Sequence, residues 1–257
     1  MRTHRMGVTL VAGLVVLCMG EREKNGTAQT AASGSAGAGD VAAQAGATIT
    51  GKVKFTGARP VMAKIDMSDE PVCKGKYQAP PTKEDVVVSP NGMLANVFVY
   101  VKAGLPATYK APAATAPVVL DQDGCRYKPH VFGILVGQTM SIKNSDGIAH
   151  NIKAKGVKNR PFNISQPTTM TTPRTFSAPE VMVALECNVH GWMKAYAAVL
   201  PHTFSAVSGA DGSFKISGLP PGTYTIEAWH ERYGAQTATV TVTGAETKTN
   251  DFTFAAR

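Results

Sequence analysis

The sequence predicts an all-β protein, and three observations support this prediction. The 257 residues are rich in Thr, Val and Ala, with 25 glycines and 16 prolines. Charged residues make up 17% of the chain, and long Leu/Glu/Lys helical patterns are missing. Short runs of alternating apolar and polar residues are separated by turns that contain Gly, Pro or Asn. This combination is typical of β-sandwiches.

The formal net charge of +8 does not indicate a nucleic-acid-binding protein. The chain contains no dense Lys/Arg run and no aromatic platform motif. We therefore expect no nucleic-acid partner.

Residues 1–20 are interpreted as an export signal. Two arginines precede an apolar run of about 15 residues, which fits a signal-peptide core better than a membrane span of about 20. Cys18 closes the run where a bacterial lipoprotein carries its lipidated cysteine, although Leu17 stands where such signals have a small residue. Cys18 is either lipidated or part of a signal that is cleaved later or kept as an anchor. We expect a periplasmic or cell-surface protein that touches a membrane only through this segment.

Residues 21–46 are rich in Ala, Gly, Ser and Thr and are predicted to form a flexible linker. At about 5–6 Å × √n, a linker of this length spans roughly 25–30 Å. Residues 47–109 form an N-terminal β segment, with alternating strands predicted at 49–55 and 96–102 and a further strand at 86–88.

Residues 110–200 contain several short strands and two groups of potential metal ligands. His150 and Asn151 follow an Asn-Ser-Asp turn, and the strand 181–186 runs into CNVHGWM at 187–193. Cys187, His190 and Met193 place a thiolate, an imidazole and a thioether at steps of three. Sulfur ligands combined with imidazole suit copper, and a blue-copper site needs a second histidine, for which His150 is the candidate.

These motifs resemble the cupredoxin family of blue-copper proteins, such as plastocyanin and amicyanin. The resemblance covers roughly residues 115–200, and the Cys-x-x-His-x-x-Met spacing is that of amicyanin. Val189 and Gly191 stand where amicyanin has prolines, and Trp192 replaces a Phe. The resemblance implies a Greek-key β-sandwich that holds one mononuclear type 1 copper ion.

The implied ligands are His150, Cys187, His190 and Met193. The resemblance further implies that Asn151 ties the two ligand segments together near the cysteine, and Asn188 is a second candidate beside the ligands. Zinc is the alternative metal, but Met is a poor zinc ligand. A binuclear copper centre would need a second Cys in the loop.

Cys73 and Cys125 remain after the signal and the candidate site are set aside. In an oxidising compartment they are expected to pair as a disulfide, and the alternative is two buried free thiols. His130 is interpreted as a structural residue, and His202 and His230 as turn and surface residues.

Residues 201–257 resemble a carboxypeptidase regulatory-like domain, a small transthyretin-like β-sandwich. The matching features are Asp-Gly-x-Phe at 211–214, Leu-Pro-Pro-Gly-x-Tyr at 219–224 and the strand 237–243. Such a domain usually begins with two Val-rich strands, which here stand at 49–55 and 96–102. We therefore expect a split sandwich into which the copper domain is inserted; the fold alone implies little about function.

The resemblance implies a one-electron carrier that exchanges electrons through an exposed His190. Residues 143–160 contain five basic residues and one acid, Asp146. They either steer an acidic redox partner, such as a cytochrome, or form a solvated face. The alternatives are a copper storage or delivery protein and a surface adhesion or carbohydrate-contacting protein. An enzyme is not expected, because the His-x-His and His-Cys-His clusters of multicopper enzymes are missing.

Overall fold

The computed structural model describes residues 46–256, so the export signal, Cys18 and the linker up to residue 45 lie outside the described residues. The described part is built almost entirely of strands. In chain order the elements are β1 (Ala47–Thr56), α1 (Pro71–Gly75), β2 (Phe98–Ala103), β3 (Val118–Gln122), β4 (Tyr127–Lys128), β5 (Val131–Leu135), β6 (Met140–Asn144), β7 (His150–Ala154), β8 (Phe162–Gln166), β9 (Met170–Arg174), β10 (Glu180–Glu186), β11 (Lys194–Leu200), β12 (Ser205–Val207), β13 (Ser213–Leu219), β14 (Gly222–His230), β15 (Gly234–Val242), β16 (Thr247–Thr249) and β17 (Phe252–Ala255). The all-β prediction is confirmed. No helix in this part of the chain is long and apolar enough to cross a membrane.

One sandwich combines the two ends of the described chain. One of its sheets has β1 between β13 and the strands β16 and β17, and the other has the order β12-β2-β14-β15. β1 lies antiparallel to β13, with Ile49 opposite Ile216, and β2 lies antiparallel to β14. Both early strands thus pair with the C-terminal region, which is the split arrangement that the sequence predicts.

Strand β1 forms because its alternate residues are apolar and face the sandwich core. At Gly51 the backbone of the turn between β16 and β17 comes very close. A Cβ added there would lie 2.0 Å from the Asn250 carbonyl oxygen and 2.7 Å from the Phe214 ring. Glycine is therefore required at this position for the sheet to close against residue 250.

Residues 118–200 form the second sandwich. Its two sheets have the strand orders β5-β11-β10-β7-β8 and β4-β3-β6-β9. The pairs β3–β6 and β5–β11 are parallel, so the chain crosses between the sheets and does not run as simple hairpins. The core between the sheets includes Leu120, Ile142, Ile152 and Leu185, each fully buried.

The segment between β1 and β2 is divided between the two sandwiches, whereas the sequence analysis treats residues 47–109 as one β segment. Ile65, Met67 and Cys73 are buried in the core of the second sandwich. Residues 86–88 form only an isolated bridge to Leu94, not a strand. The apolar residues of this segment follow no regular period, so no pattern indicates which core they join. We call residues 65–77 the covering segment.

A small third cluster joins the two sandwiches. Phe98 and Tyr100 of β2 pack with Val131 of β5 and with Ala198 and Leu200 of β11. This contact brings the turn between β14 and β15 close to the start of β5.

Candidate metal centre

The candidate ligands meet because their strands are neighbours in the five-stranded sheet. β10 pairs with β7 on one side and with β11 on the other. His150 begins β7, Cys187 follows the end of β10, and Met193 precedes β11. Antiparallel pairing places the beginnings of β7 and β11 beside the end of β10, so all the predicted ligands lie at one edge of the sheet.

Three potential ligand atoms converge in a buried space. The ligand atoms of His150, Cys187 and His190 lie within 4.8 Å of one another. The Nδ1 atoms of the two histidines are 2.9 Å apart, and His190 Nδ1 is 3.9 Å from Cys187 Sγ. Two nitrogen or sulfur ligands of one first-row metal ion lie at most about 4.4 Å apart, since each bond measures about 2.0–2.3 Å, and the distances of 2.9 and 3.9 Å both fall below this limit. These residues therefore fit one mononuclear ion.

Met193 is buried in the same loop, with 1% of its surface exposed. Its backbone N–H donates to the His190 carbonyl at 2.9 Å, and its carbonyl accepts from the Cys187 N–H at 3.2 Å. The loop is thus closed on itself around the ligands. A ligand set of two imidazoles, a thiolate and a thioether suits copper better than zinc.

Asn151 connects the two ligand segments, as the sequence analysis expects. Its Oδ1 accepts from the Asn188 backbone N–H at 2.7 Å and lies 3.3 Å from Cys187 Sγ. Its Nδ2 donates to Asn163 Oδ1 at 2.6 Å. Asn188 takes part only through its backbone, and its side chain is exposed. The prediction that Asn188 supports the site thus applies to its N–H group.

The histidines strongly favour the ionised form of the cysteine. Burial would raise the pKa of the Cys187 thiol, but hydrogen bonds with His150 and His190 outweigh it and lower the pKa to about 5. The thiolate is the form that binds metals. The site therefore offers a deprotonated sulfur ligand near neutral pH before any metal enters.

Asp146 is a buried neighbour of His150 that the sequence pattern did not single out as a site residue. Its Oδ2 is 2.8 Å from His150 Nε2, and its carboxylate also accepts from the backbone N–H groups of Gly124 and Cys125, each at 2.7 Å. Lys76 Nζ lies 2.8 Å from its Oδ1. The side chain is fully buried. Burial alone would raise the pKa of Asp146, but the hydrogen bonds with His150 and Lys76 and those from the two backbone groups lower it well below its usual range.

This carboxylate fixes which nitrogen of His150 is available for a metal. Since Nε2 is bonded to Asp146, Nδ1 is left facing His190 and Cys187. Carboxylates that bind the distal nitrogen of a ligand histidine orient the ring and increase its basicity. The only signal in the sequence is the spacing of four residues between Asp146 and His150.

We expect Asp146→Asn to weaken copper binding about 10- to 100-fold, because the amide carries no charge and holds the His150 ring less firmly. Competition with a calibrated copper chelator measures the affinity. Asp123→Asn is the matched control, because Asp123 pairs with Lys128 at the surface nearby and touches neither histidine. Equal affinities for Asp146→Asn and the wild type would contradict this role.

His190 is buried, contrary to the expectation of an exposed imidazole edge. Only 1% of its surface is exposed. Its Nε2 lies 3.5 Å from Glu70 Oε1 and 3.9 Å from Cys73 Sγ, and the Trp192 ring packs against it at 5.1 Å. The covering segment therefore lies over the imidazole edge. No motif in the covering segment indicates that it lies next to residue 190.

The covering segment is attached to the sandwich by a disulfide. Cys73 and Cys125 are bonded at 2.03 Å, which is the pairing predicted from the sequence. Tyr77 also donates from its hydroxyl to the Gly124 carbonyl at 2.7 Å. Cys187 is the free cysteine of the described residues. Both cysteines of the disulfide lie beside site histidines, but their sulfurs are not available as ligands.

The other predicted surface features differ in part from the structure. His202 and His230 are buried, and His202 bonds to the Val101 carbonyl at 2.9 Å. Of the five basic residues near His150, Lys143 pairs with Asp121 and Lys155 with Glu186. Within residues 46–256 no ion pair involves Lys153, Lys158 or Arg160, so these three positive charges are not compensated by a neighbouring acid.

Comparisons with known proteins give a family match at the C-terminal region and solved structures that are similar to part of the chain. Residues 195–255 match the carboxypeptidase regulatory-like domain, and no curated protein sequence matches the chain. A purple cupredoxin from Nitrosopumilus maritimus is 21% identical at a TM-score of 0.28, over 32% of this chain and 99% of that one. An oxidised amicyanin mutant is 17% identical at a TM-score of 0.30, over 40% and 98%.

A copper-containing nitrite reductase from Thermus scotoductus SA-01 is 23% identical at a TM-score of 0.31, over 38% of this chain. The match spans only 25% of the length of that reductase. Both resemblances drawn from the sequence thus have a counterpart among known proteins: residues 195–255 match the carboxypeptidase regulatory-like domain, and the solved structures similar to part of the chain include cupredoxins.

Proposed function

We propose that His150, Cys187, His190 and Met193 hold one type 1 copper ion and that the protein is an exported one-electron carrier. The observation that carries this proposal is the convergence of two imidazole Nδ1 atoms and one cysteine Sγ in a buried space. When bound, copper supplies a one-electron couple. The chain supplies a soft thiolate, two oriented imidazoles and a thioether, a ligand set that suits both Cu(I) and Cu(II).

The surroundings of the ligands favour electron transfer over copper delivery. A carrier needs ligands that move little between oxidation states, and here both histidines and the beginning of the loop have contacts outside the ligand set. Asp146 holds His150, Asn151 holds the beginning of the loop, and the covering segment lies over His190. A delivery protein needs an open path for the ion, whereas all four ligand residues are buried. We therefore place storage or delivery second, and we propose no enzymatic activity.

The proposed partner is an acidic redox protein outside the cytoplasm. Lys153, Lys158 and Arg160 follow His150 in the chain and form no ion pairs within the described region, so they leave uncompensated positive charge that can attract an acidic partner. Transfer to such a partner should slow as ionic strength rises. A rate independent of salt would remove this part of the proposal.

The test is copper reconstitution of the purified protein. We expect one equivalent of copper, an intense blue or green colour when oxidised, and reversible bleaching on reduction. Metal retention during repeated cycles separates a carrier from a delivery protein, which would pass Cu(I) to a chelating acceptor. A protein that stays colourless with one equivalent of Cu(II) would disprove the type 1 assignment.

A further inference from the structure

A buried acid links the split sandwich to the candidate copper loop. Glu231 lies in the turn between β14 and β15, and its side chain is 9% exposed. One carboxylate oxygen pairs with His130 Nε2, and the other accepts from the Tyr196 hydroxyl at 3.0 Å. His130 and Tyr196 both belong to the other sandwich. Both carboxylate oxygens of Glu231 therefore bond to residues of the other sandwich.

His130 extends this link to the ligand loop. Its Nδ1 lies 3.0 Å from the Lys194 carbonyl oxygen, and Lys194 directly follows Met193. A carboxylate and a carbonyl can only accept hydrogen bonds, so both nitrogens of His130 must carry hydrogen. Burial alone would lower the pKa of His130, but the hydrogen bond with Glu231 outweighs it and raises the pKa. The imidazolium is thus held between Glu231 and the loop.

The neighbouring acid Glu227 shows that a buried carboxylate in this sheet can be satisfied without reaching the loop. Glu227 accepts from the Tyr100 hydroxyl at 2.6 Å and from Lys102 Nζ at 2.5 Å. Tyr100 and Lys102 lie on β2, in the same sheet as Glu227. Each acid thus has one tyrosine and one cationic partner, but only the partners of Glu231 lie in the sandwich that carries Met193.

We propose that Glu231 is a positioning residue for the metal centre. Through His130 it fixes the Lys194 carbonyl and thereby the place of Met193 at the end of the ligand loop. The inference rests on the proposed copper function, and it assigns a role to the carboxypeptidase regulatory-like sandwich. The axial ligand of a blue-copper site tunes the reduction potential. The split sandwich would thus set a property of the copper centre without contacting the ion.

The test compares Glu231→Gln with Glu227→Gln. In the metal-free protein, we expect Glu231→Gln to shift the side-chain methyl resonance of Met193, which is assigned by its loss in Met193→Leu. In the copper form, we expect it to change the reduction potential and the ratio of the two thiolate-to-copper absorption bands. Glu227→Gln should leave all three unchanged. If Glu231→Gln does not fold, Tyr196→Phe removes one hydrogen bond of Glu231 and should produce a smaller change of the same kind.

Two results separate the inference from the function on which it rests. If copper gives no coloured centre but Glu231→Gln still shifts the Met193 resonance, the positioning role stands and the copper function fails. If Glu231→Gln and Tyr196→Phe lower the melting temperature but leave the Met193 resonance, the band ratio and the potential as in the wild type, Glu231 only joins the sandwiches and the proposal is overturned.

Discussion

Cys187→Ser is expected to abolish the intense colour of the copper-loaded protein and to weaken copper binding by more than 100-fold. The colour of such a site arises from the bond between thiolate sulfur and copper, and a serine hydroxyl stays protonated at neutral pH. Changing residues around metal ligands already costs about 10- to 100-fold in affinity, so loss of a ligand should cost more. A visible spectrum and a chelator competition measure the two effects.

Met193→Leu is the matched control for this substitution. Both residues are buried in one loop, but only the thiolate carries charge, whereas a thioether is a weak axial ligand. Met193→Leu should therefore keep the colour while it shifts the band ratio and the reduction potential. A Cys187→Ser protein as intensely coloured as the wild type would show that the sulfur of Cys187 is not a ligand.

The geometry of the loop 187–193 was predictable because its information is local. Cys187, His190 and Met193 lie within seven residues, and the strand before them and the strand after them pair directly. His150 was found because the cupredoxin frame places a histidine at that strand end. The pairing of β1 with β13 was predictable for a related reason, since the C-terminal region lacked the Val-rich strands that its fold requires.

The surroundings of the loop were not predictable, because they depend on contacts between distant residues of no fixed pattern. Asp146 becomes important only when its side chain is buried against His150 and Lys76. His130 and Glu231 are separated by 101 residues, and nothing in either segment indicates the other. The burial of His190 depends on the covering segment, whose three core residues, Ile65, Met67 and Cys73, are too few to show a period.

The double substitution Cys73→Ser/Cys125→Ser is expected to destabilise the protein by about 4 kcal/mol. The two cysteines are separated by 52 residues in the sequence. In the chain-entropy model, a disulfide that closes a loop of this size adds about 4 kcal/mol to the free energy of unfolding. Guanidinium unfolding of the oxidised wild type, the reduced wild type and the double variant measures the difference. Tyr77→Phe is the control, because it removes only the hydrogen bond to Gly124 and should cost about 0.5–1.5 kcal/mol.

The same double substitution should open the copper centre to small molecules. The disulfide holds the covering segment over His190, where Glu70 and Cys73 face Nε2. Without this bond, noncovalent contacts hold the segment, among them the salt bridge from Lys76 to Asp146 and the hydrogen bond from Tyr77, and such contacts can open and close while the protein stays folded. Stopped-flow reduction of the oxidised centre by a small reductant should therefore be faster in the double variant than in the wild type or in Tyr77→Phe. Equal rates in all three proteins would mean that electrons reach the ion by a route that the covering segment does not block. The burial of the His190 edge would then not limit the rate of electron transfer.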